Sequence, residues 1–207
     1  MKKNKIIIGF LVGLVTVFQC QAQQGLTKVE VNYSAAFPMA SFKDLISDGS
    51  FRGVDLKILH NINDKMAVGL TTGFQDFYQK YPRAVYKLGD GSEVSAVVSN
   101  SVQTVPLLAT FHYNFSPAKR LQPFVGAGVG GDIVLYRQYF GEFGDSKNKF
   151  AFQAQPKLGL YFPFREGGQT GITLSGYYNI IPFKYNGTTN LNSAGVTLGI
   201  SFPTRSY

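Results

Sequence analysis

The last regular stretch of the chain, Ser193 to Phe202, constrains the fold more than any other feature. Ala194, Val196, Leu198, Ile200 and Phe202 alternate there with Ser193, Gly195, Thr197, Gly199 and Ser201. A strict period of two indicates a β-strand with one apolar face and one small, polar face. A soluble sandwich would bury the apolar face against a second sheet, whereas a membrane barrel would turn it toward lipid.

The N-terminus has the pattern of a secretory signal peptide. After a basic start, the apolar run from Ile6 to Phe18 is shorter than the roughly 20 residues that a transmembrane helix needs. Cys20 and Ala22 place small residues at positions −3 and −1 of a cleavage site. Lipidation of Cys20 is the alternative, but a glutamine precedes it where a lipoprotein signal has a small residue. We predict a signal peptide over 1–22 and one domain over 23–207.

Composition limits the chemistry that the mature domain can perform. Cys20 is the only cysteine, so its removal with the signal would leave no disulfide, thiolate metal site or cysteine nucleophile. The net charge of +8 includes three lysines of the signal, and the remaining positive charge fits attraction to anionic lipid head groups. No basic cluster interleaved with aromatics is present, which argues against nucleic acid as a partner.

Alternating segments recur along the whole mature chain. The eight predicted strands are Thr27–Phe37, Gly53–Ile62, Met66–Tyr78, Ser101–Phe115, Pro123–Tyr139, Phe150–Phe164, Thr170–Ile181 and Ser193–Phe202. Pro106 lies inside the fourth and is expected to mark a bulge. The connections alternate between long and short, with Gln79 to Asn100 the longest and Gly141 to Lys149 a polar loop. The fold predicted is all-β, an eight-stranded antiparallel up-and-down transmembrane β-barrel with short periplasmic turns and longer extracellular loops.

Aromatic residues gather near the predicted strand ends, as expected for belts at two membrane interfaces. One group, toward the long loops, contains Phe37, Phe74, Tyr139, Phe152 and Tyr178; the other, toward the short turns, contains Phe111, Phe115, Phe162, Phe164 and Phe202.

Several polar residues fall on the faces predicted to point into the barrel. They are Glu30, Asp55, Lys57, Asp132, Gln153, Gln155 and Lys157. An eight-stranded barrel has room for side chains and little else, so we interpret them as a structural network filling the lumen. A conducting polar path and carboxylate catalysis are the alternative interpretations.

Catalytic and metal-binding patterns are not evident. The two histidines, His60 and His112, are predicted near the short-turn ends of their strands, with His112 pointing inward, so no Ser–His pair is expected at the long-loop side. The sequence has no C-x-x-C, H-E-x-x-H or acidic calcium-loop spacing. We predict a protein that is not an enzyme and has no cofactor or metal.

The pattern Ser193-x-Gly195-x-x-Leu198-x-Ile200, followed by Phe202, is similar to the insertion signal that the barrel assembly machinery recognises. Together with the signal peptide and the hairpin rhythm, it resembles the small eight-stranded outer-membrane β-barrel proteins of the OmpX, OmpW and OmpA-barrel kind. The resemblance covers essentially the whole mature chain. It implies a bacterial outer-membrane location, with lipid and lipopolysaccharide around the barrel and the assembly machinery as a partner during insertion.

The resemblance implies a structural, adhesive or envelope-maintenance role. A small passive channel for small or apolar solutes is a second hypothesis, and a soluble, periplasmic lipocalin-like ligand-binding barrel is a third. Tyrosine, arginine and lysine within Gln79 to Asn100 fit a protein or polysaccharide partner at the extracellular loops.

Overall fold

The computed structural model describes residues 26–87, 93–117, 119–140, 143–166, 168–185 and 188–204. Their elements in chain order are β1 (Thr27–Pro38), α1 (Ser41–Leu45), β2 (Ser50–Asn61), β3 (Met66–Lys80), β4 (Ala84–Lys87), β5 (Glu93–Ala96), β6 (Val98–Asn114), β7 (Gln122–Phe140), β8 (Phe143–Pro163), β9 (Gly171–Asn179), β10 (Pro182–Tyr185), β11 (Thr188–Asn190) and β12 (Ser193–Thr204). The predicted signal peptide, 1–22, lies outside the described residues.

Eight of the strands form one closed barrel in the order β1-β12-β9-β8-β7-β6-β3-β2. Every neighbouring pair is antiparallel, and β1 closes the ring by pairing with β12. The other four strands form two small hairpins, β4–β5 and β10–β11. The predicted fold class is confirmed. Among the described residues, no helix is long and apolar enough to cross a membrane.

The apolar faces of the strands point away from the barrel axis. Val196, Leu198 and Ile200 are 48%, 54% and 51% exposed, while Thr197 and Ser201, on the opposite face of the strand, are buried. The aromatics of both predicted belts are also exposed, except for the half-buried Tyr178. A lipocalin-like barrel needs the opposite arrangement, with apolar residues around an internal ligand, so that hypothesis does not fit this structure.

The two ends of the barrel differ. Short connections, residues 62–65, 115–121 and 164–170, lie at one end together with both ends of the described chain, and we call this end the turn rim. The other end, the loop rim, carries α1 and both small hairpins. Short connections at one end and longer ones at the other are therefore as predicted, except between β7 and β8.

Two local predictions are wrong. The predicted loop Gly141 to Lys149 is strand over 143–149, where β8 pairs with β7 until Phe143 lies opposite Phe140; residues 141–142 lie outside the described residues. Pro106 does not mark a bulge. Pairing with β3 is interrupted beside it, but the register is unchanged: Thr72 lies opposite Leu107 and Gln75 opposite Thr104. The proline ring removes one N–H without adding a residue.

Because the apolar face points outward, a charged substitution on it should lower the free energy of unfolding, and more so the closer the residue lies to the middle of the membrane. Leu198, at mid-strand, lies between Tyr33 and Leu174. We expect Leu198→Arg to lower the free energy of unfolding by about 2–4 kcal/mol in lipid vesicles, and Phe202→Arg, near the turn rim, by about 0–1 kcal/mol. Urea titration of the vesicle-embedded protein measures both. Equal losses at the two positions would contradict a lipid-facing belt.

Candidate functional site

Four charged side chains meet inside the barrel and form what we call the ion cluster: Glu30 from β1, Asp55 and Lys57 from β2, and Lys157 from β8. Lys57 Nζ lies 3.2 Å from Glu30 Oε2 and 3.5 Å from Asp55 Oδ2. Lys157 Nζ lies 3.6 Å from Asp55 Oδ2. The strand register explains the first contact, because Glu30 and Lys57 are direct cross-strand partners.

The ion pair between Asp55 and Lys157 crosses the lumen. Strands β2 and β8 lie four places apart in a ring of eight, on opposite sides of the barrel. Lys57 is 0% exposed and Lys157 6% exposed. Two carboxylates thus face two ammonium groups at close range, which offsets the large desolvation cost of burying four charges. The cluster therefore spans the lumen from β2 to β8.

An aromatic residue extends this layer. Lys157 Nζ lies 5.6 Å from the centre of the Tyr177 ring, within the range of a cation–π contact. The Tyr177 hydroxyl shares a buried hydrogen bond of 2.7 Å with Ser34 Oγ. Sequence reasoning did not select Tyr177 or Ser34, although both alternate inward on their strands.

The structure separates the other three predicted lumen residues from the ion cluster. Gln153 and Gln155 both donate through Nε2 to Asn179 Oδ1, at 2.9 and 2.8 Å. Asn179 in turn donates to Ser193 Oγ at 3.2 Å. Asp132 is buried, and its Oδ1 has no hydrogen-bond partner among the described residues. The sequence placed all three on inward faces without showing which would meet.

A second, apolar layer fills the lumen near the loop rim. The connection between β1 and β2, which contains α1, folds into the lumen. Its Phe42 and Ile46 are 0% exposed. The Phe42 ring lies edge-on to Phe77 at 4.9 Å between centroids. The layer, which we call the plug, joins Phe42 and Ile46 to Ala36, Phe77, Val102, Val134, Tyr136, Ala151, Tyr177, Ile181, Phe183 and Leu191.

Hydrogen bonds fix α1 in this position. The Ser41 hydroxyl accepts from the backbone N–H of Asn190 at 3.1 Å. At the other end of the helix, the Leu45 carbonyl accepts from the Tyr81 hydroxyl at 3.0 Å and from Asn100 Nδ2 at 3.1 Å. The sequence predicts only a connection between the first two strands and does not indicate the plug. The helical spacing of Phe42 and Ile46, four residues apart, was the available signal.

Both histidines lie in the turn-rim half of the barrel. His60 Nδ1 is 3.1 Å from Thr27 Oγ1. His112 points inward and stacks on Phe124, with 5.0 Å between ring centroids and 14° between planes. Among the described residues, no group of three or more His, Cys, Asp or Glu could hold a metal ion.

The residues of the predicted insertion signal belong to the strand that closes the barrel. Ser193 is buried, whereas Leu198, Ile200 and Phe202 are exposed. Gly195 lies against the Tyr177 ring, where a Cβ atom would clash. The strand continues two residues past Phe202, to Thr204. The outward face of this strand is therefore an apolar strip, and its role as an insertion signal stays a prediction.

The sequence and the fold can be compared with those of known proteins. No family model and no curated protein sequence matches the chain. Among solved structures, Neisserial surface protein A is similar with a TM-score of 0.51 and 15% identity, over 87% of this chain and 97% of that one. Ail, the attachment invasion locus protein of Yersinia pestis, gives 0.50 and 11% over 87% and 100%.

This chain has the fold of the small eight-stranded outer-membrane β-barrel proteins. The Escherichia coli outer membrane protein W is a further, weaker match, at a TM-score of 0.47 and 11% identity over 89% of this chain and 100% of that one. At such identities the likeness concerns the fold alone. The interior and the rims of the barrel are therefore the features that bear on its function.

The ion cluster predicts strong coupling between its members. We expect Lys57→Met to lower the free energy of unfolding by about 3–5 kcal/mol, because it would leave the buried Glu30 without its ion-pair partner. Glu30→Gln combined with Lys57→Met restores the charge balance and should recover most of the loss. Urea unfolding in lipid vesicles measures both. A double variant that is no more stable than the single one would contradict this coupling.

Proposed function

We propose that this protein is a closed, non-enzymatic barrel of the bacterial outer membrane, with a structural, adhesive or envelope-maintenance role exerted at its loop rim. The observation that carries the proposal is that the lumen is filled at two successive levels. The ion cluster occupies the middle and the plug occupies the loop-rim half. An ion would have to displace paired charges and then an apolar layer, which makes a passive channel the weaker candidate.

The outward surface supports the membrane location. Exposed apolar side chains cover the outside of all eight barrel strands, and an apolar band of this kind is stable only in lipid. We further propose that residues 1–22 direct export and are removed, leaving 23–207 as the barrel domain. The apolar strip of β12 is the proposed contact for the barrel assembly machinery during insertion.

Basic side chains at the edge of the apolar belt favour lipopolysaccharide as a partner. Arg52, Lys80 and Arg137 are exposed and project outward on β2, β3 and β7. They follow the outward apolar residues of the same strands toward the loop rim. There they would meet lipid phosphates, for which arginine and lysine are the usual partners. Arg52 is held by Asp76 at 3.3 Å and lies over the Tyr78 ring.

Conductance tests the closed lumen. In planar bilayers we expect no unitary steps from the folded protein, and none after residues 41–46 are replaced by a Gly-Ser segment, because the ion cluster still closes the lumen. Steps are expected only when that replacement is combined with Asp55→Ser and Lys157→Ser, which removes the ion pair that crosses the lumen. Regular steps from the unaltered protein would overturn the proposal in favour of a channel.

A separate experiment tests the lipopolysaccharide contact. We expect lipopolysaccharide to raise the Tm of the detergent-folded barrel, and the triple change of Arg52, Lys80 and Arg137 to Gln to remove most of that rise by removing the phosphate-binding charges. Changing Lys119, Arg120 and Arg165 at the turn rim to Gln is the matched control and should leave it intact. A rise that is equal in both triple variants would argue against a loop-rim contact.

A further inference from the structure

The turn-rim half of the lumen is a hollow that the plug and the ion cluster leave unfilled. It is a cavity of about 250 Å³, which we call the vestibule, and Lys28, Glu30, His112, Phe124, Tyr161 and Ser201 are among its lining residues. Its inner end is closed at Glu30, whose carboxylate is bound by Lys57. We propose that the vestibule is a binding site for a small molecule that carries an oxyanion, a carboxylate or a phosphate.

The polar groups at the mouth of the vestibule are committed to one another. Asn114 Nδ2 donates to Gln122 Oε1 at 2.7 Å. Gln122 Nε2 donates to the carbonyls of Pro117 and Lys119, at 2.7 and 3.1 Å. Asn63 Oδ1 accepts from the backbone N–H groups of Lys65 and Met66. These amides fix the shape of the entrance and have little capacity left for a ligand.

Deeper in the vestibule, by contrast, several polar atoms have no hydrogen-bond partner among the described residues. His112, Tyr161 and Ser201 are less than a tenth exposed. Their polar atoms, Nε2, the phenolic oxygen and Oγ, have no hydrogen-bond partner among the described residues. Buried polar groups are normally hydrogen-bonded, and three unused ones lining the same cavity call for an explanation. A ligand that bonds to them supplies one.

Charge selects the class of ligand. Lys28 Nζ lies over the Tyr161 ring, 5.0 Å from its centre, at the wall of the vestibule. Glu30 is already neutralised by Lys57, and Asp64 and Lys65 are neighbours of opposite charge in the turn. Among the described residues Lys28 has no ion-pair partner at salt-bridge distance, which leaves its ammonium group available to a ligand. An ammonium group beside groups that can donate a hydrogen bond suits an oxyanion, which accepts several such bonds at once.

The imidazole is held in place before any ligand binds. His112 stacks on Phe124 on one side. It also borders Gly126, where an added Cβ would approach His112 Cδ2 to 2.9 Å. A ring fixed in this way loses little conformational entropy on binding, which favours affinity for a small ligand.

Solution NMR of the protein in phospholipid nanodiscs tests the site, with acetate and inorganic phosphate as separate probes and acetamide as the neutral isostere of acetate. We expect saturable shifts of vestibule resonances with at least one of the two anions and none with acetamide. Acetate alone would assign the site to carboxylates, and phosphate alone to phosphate groups.

Two variants make the result specific. Lys28→Met, which removes the charge and keeps the length of the side chain, should weaken binding at least tenfold. Tyr161→Phe, which removes only the hydroxyl, should weaken it severalfold. Lys119→Met, on the exposed turn outside the vestibule, is the matched control and should bind as the unaltered protein does. Heat-modifiable migration in gels verifies that each variant is folded.

The site is refuted if neither anion gives saturable shifts, if acetamide shifts the same resonances, or if folded Lys28→Met binds as tightly as the control. The result does not depend on whether the barrel conducts, since the conductance test concerns the plug and the ion cluster and this test concerns the vestibule.

Discussion

Strand β1 pairs with β12 along its whole length, from Thr27 opposite Thr204 to Pro38 opposite Ser193. This ladder turns the sheet into a barrel and leaves it without an edge along these two strands. Closure also divides the residues of every strand into two populations. Those outside meet lipid, and those inside meet a lumen so narrow that eight strands nearly fill it.

The narrow lumen explains the contents of the interior. Inward charges have no bulk solvent to stabilise them, so Lys57 and Lys157 require carboxylates at ion-pair distance, and Asp55 serves both. Inward glycines leave space in the lumen for larger neighbouring side chains. At Gly126 and Gly128, a Cβ atom would press on the side chains of His112 and Leu108.

The faces of the strands could be predicted from the sequence because they follow from a period of two and need no knowledge of neighbours. This is why Glu30, Asp55, Lys57 and Lys157 were all placed inward. Which of them would meet depends on strand order and register across the barrel, and no local pattern encodes that. The pairing of Asp55 with Lys157 joins residues from opposite walls.

Where the prediction failed, tertiary context outweighed local composition. The polar stretch before Phe150 has the composition of a loop, yet it continues as strand because β7 offers a partner for each residue up to Phe143. The segment from Ser41 to Ile46 folds as a helical turn because Phe42 and Ile46 can be buried among Phe77, Val102 and Val134. Its helical spacing is short, and a single turn gains most of its stability from such burial.

The interior is therefore asymmetric along the barrel axis, and this asymmetry bears on function. Toward the loop rim the lumen is closed by packing and by hydrogen bonds from three connections, so contacts from that side must be made with the rim surface. Toward the turn rim the lumen stays hollow down to Glu30. A purely structural barrel could fill both halves with apolar side chains at less cost than four buried charges. The charged layer lies between the two halves, and under the proposed closed lumen it would separate molecules at one rim from those at the other.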